Sequence, residues 1–338
     1  MAESRDPRML CYLVDTRKLW LVGQSATPKG QMVEFEGVAA RALSLLTEEE
    51  RQAVLRYYHV RDAKMSLASH LLKHFAITKL CKVGWHDSTI SRDEHGKPCY
   101  IPGSGKMMDF NVSHQAGLVS LIAAASGEVG TDVVCVNERN ERATIDRDGF
   151  FNWVDMHADV FAPAEVQSLK FDASHLNLHP QVMEHGRDAI ARCQYRHPRV
   201  SLASSGGAAS LDSSAIIEAK LRRFFALWCL REAYVKMTGE ALLADWLRNL
   251  EFRNWRAPAS RQQAGEEESL ATGEVIGDFE IYLGEKRVDR VAVELRAIGQ
   301  AYMIASAVRC RDTTAAEAVV FPGYDELDVE KDIYPLAS

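Results

Sequence analysis

Three short segments carry side chains whose types and spacing could do chemistry. Asn111-Val112-Ser113-His114-Gln115 precedes an apolar run, and Val129-Gly130-Thr131-Asp132-Val133-Val134 places an acid inside another. Trp228-Cys229-Leu230-Arg231-Glu232-Ala233-Tyr234-Val235-Lys236 puts charge into a helical pattern. The valines around Asp132 imply a strand buried on at least one side, where a carboxylate is costly unless paired, hydrogen-bonded or bound to a metal. Capping backbone amides or pairing with an arginine would meet that need as well as a metal would. Glu232 and Lys236 are four apart and share a helix face with Trp228. Such spacing commonly makes an exposed ion pair, yet Phe224, Phe225 and Trp228 nearby suit a lined cleft better than a solvated face. A lone histidine such as His114 is commonly structural; its neighbours Asn111, Ser113 and Gln115 offer donors to phosphate oxygens. Two carboxylates from different segments can hold Mg²⁺, which prefers oxygen ligands and usually shares its shell with water and phosphate. Lys236, Arg92 and His114 could neutralise phosphate charge around it.

Other chemistries fit less well. Gly103-Ser104-Gly105-Lys106 has the end of a phosphate-binding loop, but Tyr100 stands where its first glycine belongs and Met107 where Ser or Thr belongs. His175, His179, His185, Cys193 and His197 match no standard zinc spacing.

The elements that must position these residues follow from the pattern. Met9–Val14 and Leu19–Val22 read as short strands joined by a charged turn. Thr47-Glu48-Glu49-Glu50 fits a capping box, and helical spacing then runs through Leu55, Tyr58, Leu67, Leu71, Leu72 and Phe75. Residues 87–105 read as loop, 118–125 and 129–136 as strands about a Ser-Gly turn, and 148–161 and 163–169 as helices. The pattern dissolves between Asp172 and Ser214, a long excursion read as partly disordered. A strong helix runs from Ser214 to Thr238 with Gly239 beyond its end. Residues 250–252, 278–283, 291–297 and 302–308 read as one antiparallel sheet, with an acidic loop near 266–268. The expected fold is α+β in two similar halves, 1–126 and 127–338, with the irregular insertion at 172–214.

Bulk properties agree with a soluble protein that builds its own core. Of 338 residues, 47% are hydrophobic and 26% charged. Seven cysteines, scattered and without a Cys-x-x-Cys pair, point to reduced thiols in a cytoplasmic setting. A net charge of −7 argues against a nucleic-acid partner, and no apolar run is long enough to span a bilayer.

The three segments together resemble the motifs of the Sfp-type 4′-phosphopantetheinyl transferases, in particular their larger eukaryotic type. Supporting matches are Arg61-Asp62-Ala63-Lys64, Gly96-Lys97-Pro98 and Gly239-Glu240-Ala241-Leu242, all in the family's order. The resemblance implies two pseudo-symmetric halves with coenzyme A in the cleft between them. It implies transfer of the phosphopantetheine arm to a serine of acyl, peptidyl or polyketide carriers by a monomeric enzyme using Mg²⁺, with Mn²⁺ as the alternative. Asp132 and Glu232 would ligate the metal, and Lys236 would contact the pyrophosphate. His114 with Ser113, Arg92 and, more loosely, Arg51 would contact phosphates, while Lys97 and Pro98 would lie against the adenine. Three departures stand out. Val134 replaces a third acid common in bacterial members, so Gln115 or water would complete the metal shell. Arg231 replaces a lysine, which keeps charge but changes geometry. The interval between Asp132 and Glu232 is about twice that expected, the surplus falling in the 172–214 excursion. A coenzyme A-binding module without catalysis is the non-enzymatic alternative; Asp132, Glu232 and Lys236 together speak against it.

Overall fold

The computed structural model describes residues 9–23, 27–93, 96–101, 108–138, 141–172, 199–204, 207–240, 244–261, 270–310 and 316–337, with backbone alone at 199–204 and 207–212. The glycine-rich segment 103–106, the histidines at 175–197, the end of the Gly239–Leu242 match and the acidic loop at 266–268 lie outside these residues.

One sheet is built from β1 (Met9–Asp15), β2 (Ser91–Arg92), β3 (Pro98–Tyr100), β4 (Met108–Gln115) and β5 (Leu118–Ala124), with β15 (Asp325–Glu326) joining at its edge. Its order is β15-β1-β5-β4-β3-β2, antiparallel except for the parallel β15–β1 pair. A second antiparallel sheet runs β10-β13-β14-β6, from β6 (Glu128–Cys135), β10 (Thr272–Ile276), β13 (Val291–Ile298) and β14 (Tyr302–Arg309). The chain therefore leaves one sheet and enters the other between Ala124 and Glu128. Two small sheets remain: β7 (Arg199–Ser204) with β8 (Gly207–Asp212), and β9 (Leu250–Arg253), β11 (Glu280–Leu283) and β12 (Lys286–Arg287).

Each large sheet carries a long helix. Helices α1 (Pro28–Val38), α2 (Ala40–Leu43) and α3 (Glu48–Leu55) lead into the 22-residue α4 (Val60–Cys81), which packs on β4 and β5. The capping box that opens α3 forms as its sequence requires: Glu50 N–H donates to Thr47 Oγ1 at 3.3 Å and Thr47 N–H to the Glu50 carboxylate at 3.1 Å. In the second half α5 (Arg142–Asp148), α6 (Phe150–Asp155) and α7 (Pro163–Phe171) precede the 26-residue α8 (Ser213–Thr238), which packs on β6, β13 and β14. Gly239 follows α8 with φ 75°, a left-handed turn that a glycine makes without strain. Leu67, Leu71 and Phe75 of α4 share one core with Leu121 of β5; Phe224, Phe225 and Leu230 of α8 share another with Leu295 and Met303.

Several local expectations need correction. Leu19–Val22 forms no strand; the chain turns there, with Trp20 at φ 45°. The stretch read as loop at 87–105 contains the short strands β2 and β3. The helix expected over 148–161 is realised only as α6, Phe150–Asp155: Gly149 at φ 81° separates it from α5, and a short 3-10 turn, Ala158–Val160, follows it. The end of the 172–214 excursion is a hairpin, and the C-terminal strands divide between two sheets. The end of the chain also returns to the first half: β15 pairs with β1, and Val329 and Ile333 pack in the α4 core. Only long-range pairing could reveal these last features, since a two-residue strand carries no periodicity.

Candidate active site

Strand β6 is the edge of its sheet, and its outward N–H groups need partners. Alternate residues of β4 supply them. Val129 N–H donates to Asp109 Oδ2 (2.7 Å), Thr131 N–H to Asn111 Oδ1 (2.9 Å), Val133 N–H to Ser113 Oγ (3.2 Å) and Cys135 N–H to Gln115 Oε1 (2.9 Å). A ladder of side-chain acceptors thus joins the two large sheets. Asn111, Ser113 and Gln115, read above as phosphate donors, spend at least one oxygen each on this backbone. Gln115, expected in a metal shell, has its carboxamide oxygen on the amide of Cys135.

On the other face of β6, Gly130, Asp132 and Val134 alternate toward α8. A Cβ on Gly130 would stand 2.1 Å from the Ala233 carbonyl oxygen and 2.4 Å from the Met237 nitrogen. The glycine is what lets the helix lie directly on the strand. Val134, where a third acid was weighed, is 3% exposed and packs in the α8 core. Asp132 is 6% exposed; its Oδ1 accepts from Lys236 Nζ at 2.5 Å and from Ser113 Oγ at 2.8 Å. Lys236 Nζ also donates to Ser113 Oγ at 3.0 Å. Burial alone would lower the Lys236 ammonium, but Asp132 outweighs it and, with help from Glu232, raises the lysine above its ordinary value. Glu232 is half-buried one turn back on α8. These two carboxylates and a hydroxyl are hard oxygen donors of the kind Mg²⁺ takes while keeping positions for phosphate. No group of three or more His, Cys, Asp or Glu ligands occurs among the described residues. As oxygen donors, Asp132, Glu232 and Ser113 fit a metal that shares its shell with substrate.

Beside this pair, between α4 and the outer strands, opens a cleft of about 590 Å³. Arg56, His70, Lys73, Arg92, Pro98 and His114 line it, together with small and apolar side chains. Among the described residues no carboxylate lines it, so like charges crowd one another. Burial lowers Lys73, and Arg92 lowers it further against the pull of Glu50. At the rim, partial burial and then the Lys236 ammonium lower His114. A site that keeps cations at this cost is arranged for an anion.

Arg92, Pro98 and His114 come together on the cleft, and Ser113, Asp132 and Lys236 come together beside it, with Glu232 one turn back on α8. Two others do not. Arg51 is exposed and paired with Glu48 at 2.6 Å, while Arg56, further along the same segment, reaches the cleft. Lys97 Nζ is buried, donating to Asp109 Oδ2 at 2.5 Å, Val129 O at 2.7 Å and Met237 O at 3.4 Å. Its three protons are committed to protein acceptors on β4, β6 and α8. Arg231 likewise points away from the site. It binds Glu165 at 2.7 Å, with both side chains at most 2% exposed, and donates to the carbonyls of Val160, Leu247 and Leu250. That fork needs a guanidinium, which explains arginine here. Arg56, His70 and Lys73 escaped sequence reading, although Ser66, Ser69, His70 and Lys73 make a polar stripe at helical spacing on an otherwise buried α4.

A lysine held by an aspartate, with a second carboxylate beside it and a cationic cleft adjoining, is an arrangement suited to a phosphorylated ligand. The comparisons with known proteins make the class specific. Residues 36–126 match a family described as 4′-phosphopantetheinyl transferase, N-terminal, and residues 200–282 match the 4′-phosphopantetheinyl transferase superfamily. A 4′-phosphopantetheinyl transferase of Aureobasidium melanogenum is 39% identical, over 100% of both chains. 4′-Phosphopantetheinyl transferase 1 of Fusarium mangiferae is 38% identical, over 96% of this chain and 94% of its own. An L-aminoadipate-semialdehyde dehydrogenase-phosphopantetheinyl transferase of Schizosaccharomyces pombe is 28% identical, over 49% of this chain and 60% of its own. The chain belongs to the 4′-phosphopantetheinyl transferase superfamily.

Proposed function

We propose that this chain transfers the 4′-phosphopantetheine group of coenzyme A to a serine of apo carrier proteins, releasing 3′,5′-ADP, the reaction of a holo-acyl-carrier-protein synthase. The observation that carries this reading is the cationic cleft opening beside Asp132, Glu232 and Lys236, lined by Arg56, Lys73 and Arg92 and by no carboxylate among the described residues. The cleft residues would hold coenzyme A by its phosphates and leave the pyrophosphate at the carboxylate end. The carrier serine hydroxyl attacks the β-phosphorus; the bond from that phosphorus to the bridging oxygen breaks, and the oxygen leaves with 3′,5′-ADP. Glu232, half-buried on α8, accepts the serine proton. Lys236 is held charged by Asp132 and neutralises the leaving phosphate. Mg²⁺, or Mn²⁺, held by Asp132 and Glu232 would supply Lewis-acid stabilisation to the pyrophosphate oxygens.

We take the protein to work as a monomer in the cytoplasm, with its halves divided near residue 126. Its described cysteines are all free thiols, and no helix among the described residues is long and apolar enough to cross a membrane. Carriers of fatty-acid, polyketide and nonribosomal-peptide synthesis fit the reading, as does the aminoadipate reductase of lysine synthesis that a relative's name suggests. The test is to incubate the protein with several apo carriers, coenzyme A and Mg²⁺. The expected result is a phosphopantetheine mass gain on the carrier serine, abolished in a Glu232→Gln variant that remains folded. No mass gain on any carrier would remove the reading; full activity in the variant would remove the role given to Glu232.

A further inference from the structure

Behind the cleft lies a chain of polar groups that transfer chemistry does not use. Glu50, at the third position of α3, is gripped on three sides. It accepts from Thr47 N–H at 3.1 Å, faces His70 Nδ1 at 3.2 Å and faces His74 Nε2 at 3.1 and 3.2 Å. His74 is 4% exposed, and its Nδ1 meets Ser88 Oγ at 2.7 Å. Burial alone would raise the Glu50 carboxyl, but the bonds from His70 and His74 prevail and hold it below the usual carboxylate range.

An ionised carboxylate only accepts hydrogen bonds, so the ring nitrogens that face it must carry hydrogen. His70 is thereby fixed as the Nδ1–H tautomer, with Nε2 making no hydrogen bond among the described residues. The ring lines the cleft, one helical turn before Lys73. While His70 is neutral, Nε2 carries a lone pair, which would repel a phosphate oxygen brought to it. Burial keeps it neutral against the pull of Glu50, and the Lys73 ammonium adds to that effect. Among the described residues the charged or titratable groups around it are Glu50 of α3, Arg56 and Tyr57 after that helix, Lys73 and His74 of α4, Arg92 of β2 and His114 of β4.

We propose that His70 takes up a proton from solvent when a phosphate monoester enters this cleft, and that Glu50, backed by His74 and Ser88, aims Nε2–H at the ester's oxygen. A dianionic monoester suits the site better than a diester does, since it brings two charges and three acceptors to a cluster of cations. Coenzyme A carries one such group, its 3′-phosphate, and in these terms the inference rests on the coenzyme A reading above. His70 is then a phosphate ligand and Glu50 a positioning residue.

The experiment is calorimetric titration of the full chain near neutral pH, in buffers of differing ionisation enthalpy. The probes are coenzyme A and 3′-dephospho-coenzyme A. Binding of coenzyme A is expected to take up protons, and binding of the dephospho compound to take up fewer. His70→Gln is expected to lose most of the uptake and to weaken coenzyme A about tenfold, the worth of one charge-assisted hydrogen bond. The change should fall in KM for coenzyme A more than in kcat. Nitrogen-15 spectra of the ring should show Nδ1–H alone in the free protein and both nitrogens protonated in the complex. Uptake that survives His70→Gln, or equal uptake with both probes, overturns the inference and leaves the transferase reading standing. A wild-type chain that fails to bind coenzyme A removes both.

Discussion

Lys97 and Lys236 make nearly the same contact in two parts of the molecule, and the difference between them separates structure from function. Each ammonium lies 2.5 Å from an aspartate at the seam between the halves, Asp109 in one case and Asp132 in the other. Lys97 is 6% exposed at its side chain and has an acceptor for every proton. Lys236 is 28% exposed, next to Glu232, at the end of the seam that adjoins the cleft. Pairing chemistry alone does not mark a functional lysine. A spare donor facing a place where substrate can sit does.

The comparison can be broken by removing each ammonium in turn. Lys236→Met should cost roughly a hundred- to thousandfold in kcat, the scale of losing one stabilising donor in a transition state. Its stability should fall less than that of Lys97→Met, because Lys236 is the more exposed ammonium and Asp132 keeps the Ser113 hydroxyl. Lys97→Met should do the reverse: about 3–5 kcal/mol of stability lost, since a buried aspartate is left without its cation, with the folded fraction still transferring. Denaturant melts and turnover on the same samples check both. If Lys97→Met folds normally and loses activity, the division is wrong.

Gly130→Ala sharpens the point by moving α8 rather than altering a charge. The methyl cannot fit 2.1 Å from a backbone oxygen, so the helix must shift. About 1–3 kcal/mol of stability should go, as for other overpacked sites, and transfer should fall with it because Glu232 and Lys236 ride on that helix. An alanine variant with wild-type turnover would show that their placement does not depend on this contact.

The smallest effect is with pH. His70 is held below its ordinary value of 6.5 in the folded chain, so the unfolded chain binds that proton first. Stability of the free protein should fall slightly as pH drops through 6.5 toward the lower folded value. The thermal shift given by coenzyme A should grow over the same range, because bound phosphate favours the protonated ring. Thermal melts with and without coenzyme A read both slopes; parallel slopes would leave His70 without a part in binding.

Much of the site was legible because its chemistry is local. The capping box, the lone acid in an apolar strand and the i,i+4 pair on the long helix each carry their signal within a few residues. The alternation Asp109, Asn111, Ser113, Gln115 was also visible, but its meaning was not. A polar face every second residue is compatible with solvent or ligand, and only the facing edge of β6 shows that it satisfies backbone. The surroundings of Lys97 and Arg231 were out of reach for the same reason. Their partners, Asp109, Met237, Glu165 and Leu250, lie between 12 and 140 residues away, and charge at a motif position does not say which way it points. The two-residue strand β15 was beyond reach, because its pairing is set by the first half and not by its own sequence.

The side-chain ladder between β4 and β6 also bears on how safely the protein can exist. An unpaired strand edge is a template on which another chain's strand can add and start an aggregate. Here the edge of β6 is blocked by the body of the molecule, through side chains too short to leave room for an intruding backbone. The halves therefore guard each other. A substitution that loosens this seam is expected to show first as loss of soluble protein in the cell, before any change in turnover.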